Sequence, residues 1–235
     1  MNVYLPPVRD PLLHKSPPLA PQPRWPVALA LLAAAALHFV LPRTLVMGPP
    51  WVVLGSVGIL IALAWYARHL HHWKLNELLS YTALGVLTAA LVFGLAALLY
   101  ALPRRLEAPS ALLRSAAVLW LTNVLVFAGW YWRLDAGGPN ERDFRIAHVR
   151  GAFLFPQMLL PGADAAMETD DAESAQMSWR PGFVDYLFLA FNTSTAFSPT
   201  DVPVLSRWAK LMMMVQAVIS FTSVAVIAAR AVNIL

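Results

Sequence analysis

The sequence predicts an all-α polytopic membrane protein with about five transmembrane helices plus one short re-entrant helix and loop. Three observations predict it. The 235 residues are 59% hydrophobic and 13% charged, where ordinary soluble domains carry about 25% charged residues. Long apolar segments alternate with proline-marked loops, and Trp and Tyr gather at the segment ends (Trp25, Trp51, Trp65, Tyr66, Tyr100, Trp130, Tyr131, Trp132), as at membrane–water interfaces. One further apolar segment, 183–197, is too short to cross. At the helical rise it covers about 22 Å of a hydrocarbon core about 30 Å thick.

Residues 1–25 hold Pro6, Pro7, Pro11, Pro17, Pro18, Pro21 and Pro23 without a periodic apolar pattern, and read as a disordered or polyproline tail. This polar lead is too long for the n-region of a cleavable signal peptide. Residues 26–134 read as a four-helix transmembrane region: Pro26–Leu41, short and alanine-rich, then Trp51–Ala67, Leu79–Leu102 and Ala111–Leu134. Pro42, Pro49, Pro50, Pro103 and Pro109 mark the loops between them.

Residues 135–182 form a long polar surface loop. Its middle, Asp164 to Glu173, is acidic without a base and reads as a solvated segment; the glycine-punctuated spacing of a calcium loop is absent. Asp135-Ala-Gly-Gly-Pro139, at the end of the fourth segment, reads chiefly as a helix stop. Phe155-Pro-Gln-Met158 and Trp179-Arg-Pro181 read as anchors pressing the loop onto the membrane surface. Arg and Lys near helix ends favour the face that carries this loop, which by the positive-inside rule makes that face cytoplasmic.

Residues 183–235 carry the most information. After the short aromatic segment, Asn192, Thr193, Ser194, Thr195, Ser198 and Thr200 place many hydroxyl and amide groups in a few residues. In lipid such groups must find partners, and irregular backbone at that depth is tolerated only where protein or water covers it. In the last helix Gln216, Ser220, Ser223 and Arg230 fall on one face, interrupted by Ile227. Two readings stand side by side: a lining for a water-filled cavity with Arg230 at its mouth, or helix packing through small and hydroxyl residues. Asp201 reads either as a mouth carboxylate or as a hydrogen-bond acceptor for a neighbouring chain.

This stretch resembles the pore module of the potassium-channel superfamily, in which a pore helix, a filter loop and an inner helix follow one another. Ala196-Phe-Ser-Pro-Thr-Asp201 stands in the filter position and Trp208-Ala-Lys-Leu211 at the matching distance, with Ser220 near the hinge glycine. Ser198 and Thr200 replace both filter glycines, and Pro199 has its φ fixed. A ring of carbonyls aimed at potassium needs backbone bends that glycine makes cheap, so potassium selectivity is not expected. The whole chain also resembles an uncharacterised bacterial integral-membrane family with Leu-Asp-x-Gly-Gly-Pro and Ser-Pro-Thr-Asp stretches, which implies the bacterial inner (plasma) membrane. The module would place its filter outside, against the charge count, so sidedness stays open.

The resemblance implies an ion-channel-like, homo-oligomeric pore, most simply a homotetramer. Thr193, Ser194, Thr195, Ala196, Phe197, Ser198, Pro199, Thr200 and Asp201 would form its constriction, and Gln216, Ser220, Ser223 and Arg230 its cavity. Expected partners are the lipid bilayer, copies of the chain and inorganic ions. The alternative is a non-conducting scaffold or small-solute transporter using the same re-entrant element. No phosphate loop, nucleophile elbow or zinc-protease motif occurs, and neither an enzyme nor a cofactor is expected. No cysteine is present. His69, His71 and His72 lack a further ligand cluster, and His38 reads as a packing residue. No basic cluster suggests nucleic acid.

Overall fold

A computed structural model describes residues 21–104, 106–144, 151–159, 179–198 and 201–231. The Pro-rich tail up to residue 20, the acidic middle of the long loop, Pro199 and Thr200 lie outside the described residues. The architecture is helical: α1 (Trp25–Ala36), α2 (Trp51–His69), α3 (Trp73–Arg104), α4 (Pro109–Leu134), α5 (Gly138–Phe144), α6 (Phe183–Thr195) and α7 (Arg207–Ala231), with short 3-10 turns between several of them. Among the described residues the β-type pairing is one isolated antiparallel bridge, Phe153 with Val204.

Among the described residues four helical stretches are long and apolar enough to cross a membrane: α2, α3, Pro109–Asp143 (α4 and its extension through α5) and α7. The fifth expected crossing, Pro26–Leu41, differs. α1 has 12 residues, about 18 Å of helix, and continues only as a 3-10 turn over Leu37–Val40. Pro42 then keeps the chain from extending the helix. α3, with 32 residues, reaches about 48 Å and exceeds the hydrocarbon thickness, a mismatch that tilt relieves.

α4 is the hub. It packs against α1, α3, α6 and α7 and buries Leu112, Leu119, Val126, Phe127 and Tyr131. Small residues bring the helices close. A Cβ on Gly129 would lie 2.8 Å from Leu84 Cδ2 and 3.1 Å from Leu31 Cδ2, so α1 and α3 approach α4 where glycine permits it. The outward faces are apolar instead of polar: Ile59, Leu63, Leu78, Val92, Leu211, Val218 and Phe221 are exposed. Such a surface suits lipid and would be an aggregation hazard in water.

α4 stops where the sequence predicts. Ala136, Gly137 and Gly138 all take positive φ (50°, 80° and 86°), and a Cβ on Gly138 would sit 2.7 Å from the Arg133 carbonyl oxygen. Pro139 does not merely end α4. It lies in the first turn of α5, where its missing N–H costs nothing.

Candidate functional site

α6 and α7 form a hairpin against α4. α6 opens with Gly182 N donating to Asp185 Oδ2 at 2.7 Å, which satisfies an otherwise orphaned amide of the first turn. Its first turns lie beside the end of α4: Tyr186 Oη donates to Asp135 Oδ2 at 2.7 Å. Its last turn lies beside the middle of α4, where Trp120 Nε1 and Asn123 Nδ2 approach the Ser194 carbonyl and hydroxyl at 3.4 and 3.5 Å. The backbone then reverses through Phe197, at φ 54°. By residues 203–205 it is back at the level of Asp135, with Leu154 N donating to Pro203 O at 3.0 Å and Leu205 N to Ala152 O at 2.8 Å.

The stripe on α7 converges on Ser194. Gln216 Nε2 donates to Ala190 O at 2.8 Å and to Ser194 Oγ at 2.9 Å. Its Oε1 accepts from Tyr131 Oη, and its backbone carbonyl accepts from Asn123 Nδ2 at 3.2 Å. Ser220 Oγ donates to Ser194 O at 2.6 Å, and Ser223 Oγ returns to its own helix at Ile219 O. Gln216, Ser220 and Ser223 have no exposed surface; their hydrogen bonds all close inside the subunit. Arg230 lies far down α7, donating from Nη2 to Leu102 O at 3.1 Å.

The residues expected at a constriction divide into two groups. Thr193 and Ser194 are buried, and Thr193 Oγ1 donates back to Leu189 O. Thr195, Ala196, Phe197, Ser198 and Asp201 are exposed, with the Phe197 ring 5.7 Å from that of Phe221 on α7. The hairpin therefore has a buried shaft and an uncovered tip. Tyr131, expected in an interfacial belt, is instead fully buried and completes the shaft's network with Asn123 and Trp120; the sequence did not single out those last two. The available signal was Asn123, an amide in the middle of an apolar helix, which must find a partner there.

Asp135 is a clamp as well as a helix end. Fully buried, its carboxylate accepts from Ala152 N and Tyr186 Oη, tying loop residues 151–155 to α6. Phe153 is buried among Tyr131, Tyr186 and Trp208, at ring distances of 5.2, 6.3 and 6.1 Å. Phe155 and Trp179, expected as surface anchors, pack on each other at 5.6 Å, with Phe155 also 5.4 Å from Tyr186. Arg142 spreads its guanidinium over the Trp132 and Asp135 carbonyls, at 2.9 and 2.8 Å, and Gln22 Oε1. These are carbonyls that the end of α4 leaves without helical partners.

The histidines follow simpler roles. His69 stacks on Trp65 at 5.5 Å, His71 meets the edge of Trp73 at 5.7 Å, and His38 shares its Nδ1 with Ala34 O at 3.1 Å. Among the described residues no group of three or more His, Cys, Asp or Glu could hold a metal ion.

Comparison with family models, with curated proteins and with solved structures finds no match to this chain.

Proposed function

We propose that the protein is ion-channel-like: α6, the return through 196–206 and α7 form a pore-loop hairpin, and copies of the chain meet around its tip. The observation that carries this reading is the position of the tip. α6 begins at the end of α4, its last turn bonds to the middle of α4 and α7, and residues 203–205 return to the level where α6 began. In this reading the segment enters and leaves by one face, and its bend lies at mid-membrane depth. Thr195, Ala196, Phe197 and Ser198 are exposed there, and non-helical backbone at that depth needs protein or water around it. Copies arranged about an axis supply that cover.

In this reading Gln216, Ser220 and Ser223 brace the pore helix from behind and do not face the solute. The exposed face of α7, with Met214, Val218 and Phe221, makes the lining below the tip apolar, the kind of constriction that gates by dewetting. Potassium selectivity is not part of the proposal.

The chain lacks cysteine, so a single introduced thiol reports without background. Ser198→Cys in membranes should cross-link between copies under mild oxidation, and a thiol reagent should alter the current of the reconstituted protein. A purified Ser198→Cys protein with the mass of one chain and no cross-linked species would end the proposal.

A further inference from the structure

Space and charge coincide at a second place, away from the tip and α7. A cavity of about 720 Å³ lies among α1, α2, α3 and α4. At one end, where α1 and α3 begin and α2 and α4 finish, its wall carries Gln22, Arg24, Arg68, Asn76 and Arg133. Among the described residues no carboxylate contributes to that wall. Deeper in, the wall is apolar, with Leu31, Ile61 and Leu84. Gly58 lines it ten residues before Arg68 on α2, and Leu84 eight residues after Asn76 on α3. At the helical rise the space therefore runs about 12 to 15 Å inward from its charged end.

The arginines are under-partnered. Arg24 and Arg68 share one acceptor, Asp143 Oδ2, at 2.5 and 3.4 Å. Arg133 forms no ion pair among the described residues although only 2% of it is exposed. Its Nη2 lies 3.5 Å from Asn76 Oδ1, its guanidinium lies 5.3 Å from the Tyr81 ring, and the Tyr81 hydroxyl and the Glu77 carboxylate also bear on it. Arg133 Nε, Arg24 Nε and Arg68 Nη1 are buried without a hydrogen-bond partner. Burial pulls Arg24 down to about 10, although Asp143 stands beside it. Buried guanidinium nitrogens left without acceptors are costly for a fold to hold. An apolar space of this size beside it is equally poor for water.

We propose that this cavity binds an amphiphilic anion, with a phosphate or carboxylate head at Arg133, Arg24 and Arg68 and an alkyl chain along Leu31, Ile61 and Leu84. The two halves of the wall require the two halves of the ligand. Guanidinium groups match oxyanions through charge-assisted, forked hydrogen bonds. An inorganic anion would leave the deep wall uncovered, a neutral amphiphile would leave Arg133 Nε unpaired, and a cation would be repelled. The charged end lies at the helix termini, where a lipid head group would sit with its chain pointing inward. None of these residues belongs to α6, the tip or α7, so the site stands or falls independently of the pore-loop reading.

The test is calorimetric titration of the full chain in phosphatidylcholine nanodiscs with octyl phosphate, inorganic phosphate and octanol, after subtraction of empty nanodiscs. Octyl phosphate is expected to saturate at one per chain and to bind about tenfold or more tighter than the other two, because a charged hydrogen bond and an alkyl chain each contribute at least that factor. Arg133→Gln should weaken octyl phosphate by about tenfold and leave octanol unchanged. Leu31→Trp, which fills the apolar half, should bring octyl phosphate down to the affinity of inorganic phosphate. Replacing part of the phosphatidylcholine by phosphatidylglycerol separates the sources: competition assigns the site to a bilayer lipid, and saturation without competition assigns it to a smaller amphiphile. The proposal is overturned if octyl phosphate does not saturate, if octanol or inorganic phosphate binds as tightly, or if folded Arg133→Gln binds like the unsubstituted chain. Should Arg133→Gln not fold, Arg68→Gln takes its place, and the three-ligand comparison on the unsubstituted chain decides without any variant.

Discussion

Replacing Gln216 by Leu tests whether the α7 stripe is a structural clasp or a wetted surface. The side chain donates to Ala190 O and Ser194 Oγ and accepts from Tyr131 Oη, all three with no exposed surface around them. Side-chain hydrogen bonds between membrane helices average about 0.6 kcal/mol and reach about 1.7 kcal/mol, so three are worth about 2 to 5 kcal/mol. The apolar Leu recovers about 1 kcal/mol of that by easier burial, while the Tyr131 hydroxyl, left buried without a partner, costs about 1 to 3 kcal/mol. The net expectation is a loss of about 2 to 7 kcal/mol. Unfolding in mixed micelles measures it, and a double-mutant cycle with Tyr131→Phe isolates the shared bond. The coupling should be about 0.6 to 1.7 kcal/mol. In a water-filled cavity both groups would be hydrated, and the coupling would vanish. A cycle near zero, or a loss for Gln216→Leu under about 0.5 kcal/mol, refutes the clasp.

Two further outcomes follow from the end of α4. Gly151→Ala would place a Cβ 2.1 Å from Asp135 Oδ1, displacing the carboxylate from Ala152 N and Tyr186 Oη. The melting midpoint in detergent should fall by the equivalent of about 2 to 4 kcal/mol, and limited proteolysis between α5 and α6 should quicken; unchanged melting would mean that the Asp135 clamp does not hold. Arg142→Lys should be nearly as damaging as Arg142→Met, about 2 kcal/mol or more, because an ammonium cannot span the Trp132 and Asp135 carbonyls and Gln22 together. Thermal melting of the pair checks this, and a Lys variant as stable as the unsubstituted chain contradicts it.

Class was legible in the sequence because bilayer physics acts on composition. Scarce charge, apolar runs of spanning length and interfacial aromatics predict membrane helices without reference to neighbours, and α2, α3, α4 and α7 occupy those runs. The stop after Leu134 was legible too, since Gly137 and Gly138 take the positive φ that glycine makes cheap. The grouping of Gln216, Ser220 and Ser223 on one face was legible from helical periodicity. The direction of that face was not. A period of 3.6 residues says which side chains share a side and nothing about whether that side meets water, lipid or another helix.

That choice belongs to the tertiary structure. α4 presents Asn123 and Tyr131, α6 presents Ser194, and only their meeting converts a polar stripe into a closed network. Arg133, Arg24 and Arg68 are likewise scattered through the sequence and become one cluster because four helix ends share a face. The short reach of α1 was decided locally but late: its apolar run continues past Ala36, yet the chain tightens into a 3-10 turn before Pro42. Periodicity and composition are properties of a segment. Which polar groups find each other is a property of packing, and in an apolar chain those few encounters determine where a solute could be held.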